Sequence, residues 1–226
     1  MNHSVSLAFS TTLFVAIPPI QIQLPPFFQP GQLFLRKDPH LKGLYCIKKG
    51  VCKILKLSEH GGEQIIQFLG VKTLLGIRSL ISEETTNLRA VALTEVYAQF
   101  IPLKAVNHAL ATDPKFCIKL LKTFAKYVKH ADNKIVVLGQ HQVGERLAIF
   151  LIELKSQFGT NTDGSINVYL KREEMANFIR TATESMIRTL KEFERNEWIK
   201  TCRKAIHIID EEALYHLAKG CHIKLA

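Results

Sequence analysis

The sequence predicts an α+β chain in three parts: an N-terminal antiparallel β-roll over residues 1–110, a long helix and hinge over 111–140, and a C-terminal domain over 141–226. Three observations carry this reading. Short apolar bursts separated by glycines run from about Leu33 to Leu103; apolar residues then recur every three or four positions after "TDPKF"; and "REEMANFIRTATESMIRTLKEF", Arg172 to Phe193, begins as one amphipathic helix, breaks its rhythm at "RTAT" and starts another.

The first region reads "QLFLRK", "GLYCIKKG", "VCKILKL", "QIIQFLG" and "LRAVALTEVYAQFIPL", with β-branched and aromatic residues alternating with polar ones. Gly31, Gly50, Gly61, Gly62, Gly70 and Gly76 fall between the bursts, the spacing of an antiparallel roll or barrel. In the next region Thr112 or Asp113 can cap the first amides of a helix and Pro114 suits its first turn. Phe116, Leu120, Phe124, Tyr127, Ala131, Ile135 and Leu138 draw one apolar stripe along about 25 residues of that helix. The stripe is longer than one roll needs, which predicts a partner helix from a second copy; the plainer alternative is packing on its own domain. Gly139 and Gly144 bracket "GQHQVG", a candidate hinge, and a second helix, "ERLAIFLIELKSQFG", ends at the C-cap glycine Gly159 before the polar loop "TNTDGS".

Composition narrows the class. With 226 residues and 47% apolar content the chain can bury a sizeable core, and its formal charge of +10 predicts a polyanionic partner: nucleic acid or an anionic membrane surface. Cys46, Cys52, Cys117, Cys202 and Cys221 are scattered, with no C-x-x-C pair, which points to a reducing cytoplasm rather than a disulfide framework or a zinc site. The apolar opening "VSLAFSTTLFVAIPPI" has no Lys or Arg ahead of it and is too short to span a bilayer before Pro18, so a packed N-terminal segment is expected rather than a signal peptide, and no membrane partner. No nucleophile has an adjacent base at motif spacing, and neither a Gly-rich phosphate loop nor a metal-ligand pattern occurs, so no enzyme and no metal are expected.

"INVYLKREEMANFIR" predicts a short strand and then a helix whose apolar face is Met175, Ala176, Phe178 and Ile179. The following helix turns Ala182, Met186, Ile187, Leu190 and Phe193 inward and Thr183, Glu184, Ser185, Arg188 and Lys191 outward. The major groove of B-DNA admits one α-helix, whose N-terminal side chains reach base edges; Arg can hold guanine bidentately and Glu can accept from the cytosine amino group. Thr183, Glu184, Ser185 and Arg188 occupy the first two turns, where such readers belong, and Lys191 follows on the same face within reach of phosphate. Lys171 and Arg172 begin the preceding helix, where their charge can meet phosphate. The hairpin expected in "WIKTCRKAIHII" puts Arg203 and Lys204 at its tip, as a wing on the DNA backbone. The bland alternative is that the mixed-charge helix is a solvated face.

Together, the glycine-punctuated roll, the long helix, the hinge and "LKREEMANFIRTATESMIRTLKEFERNEWI" leading into "KAIHIIDEEAL" resemble the Crp/Fnr family of bacterial transcription regulators, most specifically in E-S-x-x-R at Glu184, Ser185 and Arg188. The resemblance covers nearly the whole chain after about Leu33. It implies a cyclic-nucleotide-binding-type jelly roll, a dimerisation helix over Phe116–Leu138 and a winged helix-turn-helix. It also implies base reading by Thr183, Glu184, Ser185 and Arg188 and a phosphate contact by Arg172. The expected partners are double-stranded DNA and a second copy of the chain in the cytoplasm, with RNA polymerase a possible further partner. A different reading keeps the roll as a ligand-binding module and has the C-terminal helices contact a protein.

The chain departs from the family at several positions. Arg180 stands where members commonly have Gly, which demands a left-handed or strained turn unless the geometry differs; Arg180 could recover that cost by reaching phosphate. Thr183 replaces an Arg common in nucleotide-responsive members. The nucleotide cassette pairs a Gly-Glu for the ribose with an Arg-Ser for the phosphate; here Gly76 stays, Ile77 replaces the Glu, and Asn87 and Leu88 replace the Arg-Ser. Arg78 and Arg89 lie close in sequence as conceivable substitutes. Cyclic AMP is therefore not expected, and no N-terminal cysteine cluster precedes Cys46 to hold an iron–sulfur centre. No cofactor is predicted, while haem or another small effector stays open.

Overall fold

The computed structural model describes residues 26–35, 42–58, 61–82, 84–86 and 88–219, so the apolar N-terminal stretch and Asn87 lie outside the described residues. Two four-stranded antiparallel sheets form the first half. One runs in the order β1 (Phe27–Phe28), β8 (Val96–Pro102), β3 (Gly43–Lys49) and β6 (Leu74–Leu75); the other runs β2 (Leu33–Leu35), β7 (Leu88–Ala92), β4 (Cys52–Leu57) and β5 (Glu63–Leu69). Strand β3 reads as a continuous apolar run because both its faces are covered. Tyr45 and Ile47 look into the roll, against Cys52, Ile54, Leu69 and Ala90, while Leu44 and Cys46 pack with Ile101 and Val106 on the other side. At the β3–β4 turn Gly50 has φ +90°, and a Cβ there would lie 2.1 Å from the Glu95 carbonyl oxygen, so only glycine fits.

Two helices that the periodicity did not suggest close this side: α1 (Ile77–Ile81) and α2 (Leu103–Thr112). The second was hidden because "LKAVNHALAT" continues an apolar strand and has only two residues, Val106 and Ala109, fully engaged in burial. Helix α3 (Pro114–Gln140) follows, with Asp113 Oδ1 accepting from the N–H groups of Lys115 at 2.9 Å and Phe116 at 3.1 Å.

The apolar stripe expected to face a partner is corrected here. Phe116 and Leu120 are buried with Ala109 in the roll's own core, and Phe124 packs against the same cluster, so this part of the stripe follows the plainer alternative. Tyr127 and Leu138 are half-buried, and Ala131 is exposed. Ile135 of the stripe is itself exposed, as are Ile118, Leu121, Val128 and Val136 outside it. Ile118, Leu121, Val128 and Ile135, with Ala125, Asp132 and Gly139, recur in alternating steps of three and four, a second face on the same helix. Helix α3 also runs straight through Gly139 and leaves only His141 and Gln142 before α4 (Val143–Phe158), a shorter connection than the bracketed "GQHQVG" suggested.

The described chain divides into two compact units whose boundary falls within α3, between Tyr127 and Val128. In the second unit α4 is apolar nearly all round: Leu147, Ala148, Ile149, Phe150, Leu151, Ile152 and Leu154 are buried. Around it stand α5 (Arg172–Ile179), α6 (Thr183–Arg195) and α7 (Glu211–Lys219), with a hairpin of β9 (Ile199–Cys202) and β10 (Ala205–Ile208). The strand expected in "INVYLK" does not form. Ser165 makes a single bridge to His207 and Thr160 one to Ile166, while Asp163 Oδ1 accepts from the Ser165 N–H and hydroxyl at 2.9 and 2.7 Å. The segment's backbone bonds are divided between the loop and the hairpin, where the Ile166 N–H donates to the Ile206 carbonyl at 2.8 Å, and no continuous ladder results.

The C-terminal half of α3 joins this unit through charge placed against aromatic rings. Lys134 Nζ sits 3.5 Å from the centroid of the Phe178 ring, which packs on Phe150 at 4.6 Å, and Glu153 follows Phe150 by three residues on α4. Burial pushes Glu153 up to about 7, with the Lys134 charge opposing, and pushes Lys134 down to about 8, with Glu153 opposing. Burial and Lys134 also lower His130.

Two expectations follow. Phe116→Ala should cost about 3–5 kcal/mol in chemical unfolding followed by circular dichroism, because a fully buried ring is lost; a cost near zero would mean that the start of α3 is not part of the roll's core. Glu153, with its pKa raised, favours the fold in its protonated form, a contribution complete below the ordinary carboxyl range and lost as pH rises through about 7. The Tm of Glu153→Gln should therefore gain on wild type between pH 5 and pH 8, and an equal difference at both values would show that Glu153 is not dehydrated.

Candidate nucleic-acid interface

Helix α5 starts where the Glu174 carboxylate accepts from the Lys171 N–H at 2.9 Å, and Glu173 and Glu174 complement the positive end of its dipole. Met175, Ala176, Phe178 and Ile179 are all buried, the face the sequence pattern marks. The helix ends at Arg180, whose φ of 54° and ψ of 62° are left-handed and whose N–H returns to Ala176 and Asn177. This is the conformation demanded of a residue in glycine's place, and a side chain there costs about 1 kcal/mol. The Arg180 side chain is exposed.

Helix α6 locks itself down through Met186, Thr189, Leu190 and Phe193. Ala182 and Ile187, expected inside, are exposed, and Thr189 is buried, its hydroxyl satisfied by donating to the Ser185 carbonyl at 2.9 Å. Glu184, Arg188 and Lys191 are exposed and Thr183 and Ser185 half-exposed, so the helix presents a polar N-terminal face.

The wing hairpin pairs Cys202 with Ala205 and Ile199 with Ile208, leaving Arg203 and Lys204 exposed in its two-residue turn. Arg203 is left-handed, at φ 54°. Besides the buried Ile199 and Ile206, two charged side chains hold the hairpin, and neither has a local sequence signal. Glu194 accepts from the Thr201 N–H at 2.9 Å and its hydroxyl at 2.7 Å, and Arg172 Nη2 donates to the Arg203 carbonyl at 3.0 Å. Burial lowers the pKa of Arg172, with Glu194 opposing. Lys171, at the N-cap of α5, is exposed.

Charge is distributed unexpectedly. Residues 141–226 contain thirteen Lys and Arg against twelve Asp and Glu, a net +1 of the chain's +10. The basic excess that pointed to a polyanion lies almost entirely upstream of the domain with the polar helix face.

On the roll, Gly76 has φ +93° and precedes α1. Ile77 packs against the two clusters that contain Phe116 and Leu44, and Leu88 packs against the roll's interior core. Arg89 is corrected as a pocket candidate: β7 alternates, its Leu88, Ala90 and Ala92 belong to the interior, and Arg89 pairs with Glu63 at 2.6 Å with both side chains solvated. Arg78 is exposed. Among the described residues no group of three His, Cys, Asp or Glu could hold a metal ion, and no helix is long and apolar enough to cross a membrane.

Comparison with known proteins matches both halves. Residues 26–113 fit the family model of the cyclic nucleotide-binding domain and residues 145–217 that of the Crp-like helix-turn-helix domain. The chain is 25% identical to the transcriptional activator protein Anr of Pseudomonas protegens, over 84% of this chain and 78% of that one. It is 28% identical to the CRP-like cAMP-activated global transcriptional regulator of Mycobacterium tuberculosis, over 78% of this chain and 80% of that one. Its fold resembles that of FixK2 from Bradyrhizobium japonicum, with a TM-score of 0.76 at 19% identity over 86% of this chain and 98% of that one. With a roll and a helix-turn-helix domain each matched in the same order, the chain belongs to the Crp/Fnr family of DNA-binding transcription regulators.

Proposed function

We propose that this regulator works as a cytoplasmic homodimer that reads a near-palindromic duplex site through α6 and needs no cyclic AMP. The observation that carries the DNA reading is the α6 face itself. Its apolar side is locked by Met186, Leu190 and Phe193, and its first turns hold out Thr183, Glu184, Ser185 and Arg188 as base readers. Lys171, Arg180, Lys191, Arg203 and Lys204 surround that face as phosphate contacts, and Arg172, which the family resemblance also assigns to phosphate, lies beside them with its Nη2 on the Arg203 carbonyl. No catalytic step is assigned.

The second face of α3 supports the dimer. Leu121 is 68% and Ile135 70% exposed, and with Ile118 and Val128 they form a solvated apolar seam at heptad spacing on a helix otherwise rich in lysine. Two such seams paired would join two copies of the chain, and a homodimer of this kind reads half-sites about one helical turn, roughly 34 Å, apart. Independence from cyclic AMP is supported by Ile77 and Leu88, which spend their side chains on core packing where the nucleotide would require a carboxylate and a hydroxyl.

The test is selection of binding sites from a randomised duplex pool, followed by affinity measurements with and without cyclic AMP. A two-fold symmetric winner bound equally in both conditions is expected; enrichment only with the nucleotide would overturn the reading of Ile77 and Leu88. Arg188→Ala should abolish discrimination at one base position of each half-site, about 1–3 kcal/mol, whereas uniform weakening over all duplexes would remove Arg188 from base reading. Leu121→Asp should give a folded monomer in analytical ultracentrifugation, and a dimer of wild-type strength would rule out the α3 seam.

A further inference from the structure

Arg172 is already engaged inside the protein. Its Nη2 donates to the Arg203 carbonyl, 31 residues away, and its Nη1 lies 3.4 Å from the sulfur of the buried Met175. The side chain is half-buried, its charge partly dehydrated, and Glu194 supplies the nearby compensating carboxylate. We propose that Arg172 is a positioning residue that sets the turn of the wing, and that it serves DNA binding through Arg203 and Lys204 rather than through a phosphate contact of its own. The proposal rests on the assignment of the hairpin as a DNA-contacting wing and deepens it.

The tip of the wing gains more from such a residue than its strands do. Ile199 and Ile206 are buried and the Ile166 N–H donates to the Ile206 carbonyl at 2.8 Å, so the strands are anchored on the domain, whereas the exposed turn carries Arg203 in a left-handed conformation that side chains other than glycine avoid. Two charged groups act on either side of that turn. Glu194 fixes Thr201 just before it, and the Arg172 guanidinium fixes the carbonyl within it by a charge-assisted bond. These contacts join α5, α6 and the hairpin, so the tip cations keep a fixed place relative to the reading face of α6. With one N–H on the Arg203 carbonyl and another against Met175, the guanidinium has fewer donors left for an outside anion.

The test is a double-mutant cycle read through salt dependence. Affinity for the selected duplex is measured from low to high salt for four full-length proteins: wild type, R172M, R203Q/K204Q and the triple variant. Methionine keeps the apolar stem and removes the donors. Each lost phosphate contact lowers the slope of log Kobs against log salt by about 0.9. Arg172→Met should lower it by about 1.8 per bound subunit in the wild-type background, the loss of two tip contacts, and by about zero where the wing is already neutral. A fall of about 0.9 in both backgrounds would make Arg172 an independent phosphate contact and overturn the proposal.

If R203Q/K204Q alone leaves the slope unchanged, the wing assignment itself fails. Amide hydrogen exchange on the free protein then decides the positioning role without DNA. Arg172→Met should speed exchange across residues 203–206 about tenfold, and unchanged exchange there would overturn it.

Discussion

Everything the C-terminal unit presents to solvent depends on burying α4 on all sides. A helix apolar nearly round its circumference cannot rest on one neighbour, so α5, α6 and α7 must all pack against it, and the end of α3 reaches the same core through Lys134 and Phe178. That demand fixes which side of α6 faces inward. Phe150 illustrates the economy of the arrangement: it belongs to the core of α4, supports Phe178 of α5, and thereby backs the ring on which Lys134 sits.

The roll obeys a different constraint. Strand β3 is covered on both faces, and its apolar side chains are committed to the two clusters that it separates. Ile77 joins the clusters beneath α2, and Leu88 joins the interior. On the proposed reading, a nucleotide beside them would meet apolar side chains in place of partners for its own hydroxyl and phosphate.

Much of this was legible in the sequence, for identifiable reasons. The paired short helices could be read because Met175, Phe178, Met186, Leu190 and Phe193 keep helical spacing, and the wing because its apolar strands flank a two-residue polar turn. The left-handed turn at Arg180 follows from a non-glycine residue in a glycine's place. What failed was choice of face. On α3 two apolar faces overlap along one helix, and periodicity alone could not tell that Phe116 and Leu120 serve the roll while Leu121 and Val128 stay exposed. Arg89 misled because sequence distance from the cassette says nothing of which side of β7 it occupies. The Arg172 and Glu194 contacts were invisible for a third reason: they join positions related only by the finished fold.

The near neutrality of residues 141–226 has a kinetic meaning. Affinity for arbitrary DNA comes mainly from counterions released by the cations that meet phosphate, and in a domain whose acids almost cancel its bases the cations named around α6 must supply it. An encounter through any other side of the domain would gain little from charge, so orientation, more than net charge, would decide which encounters last.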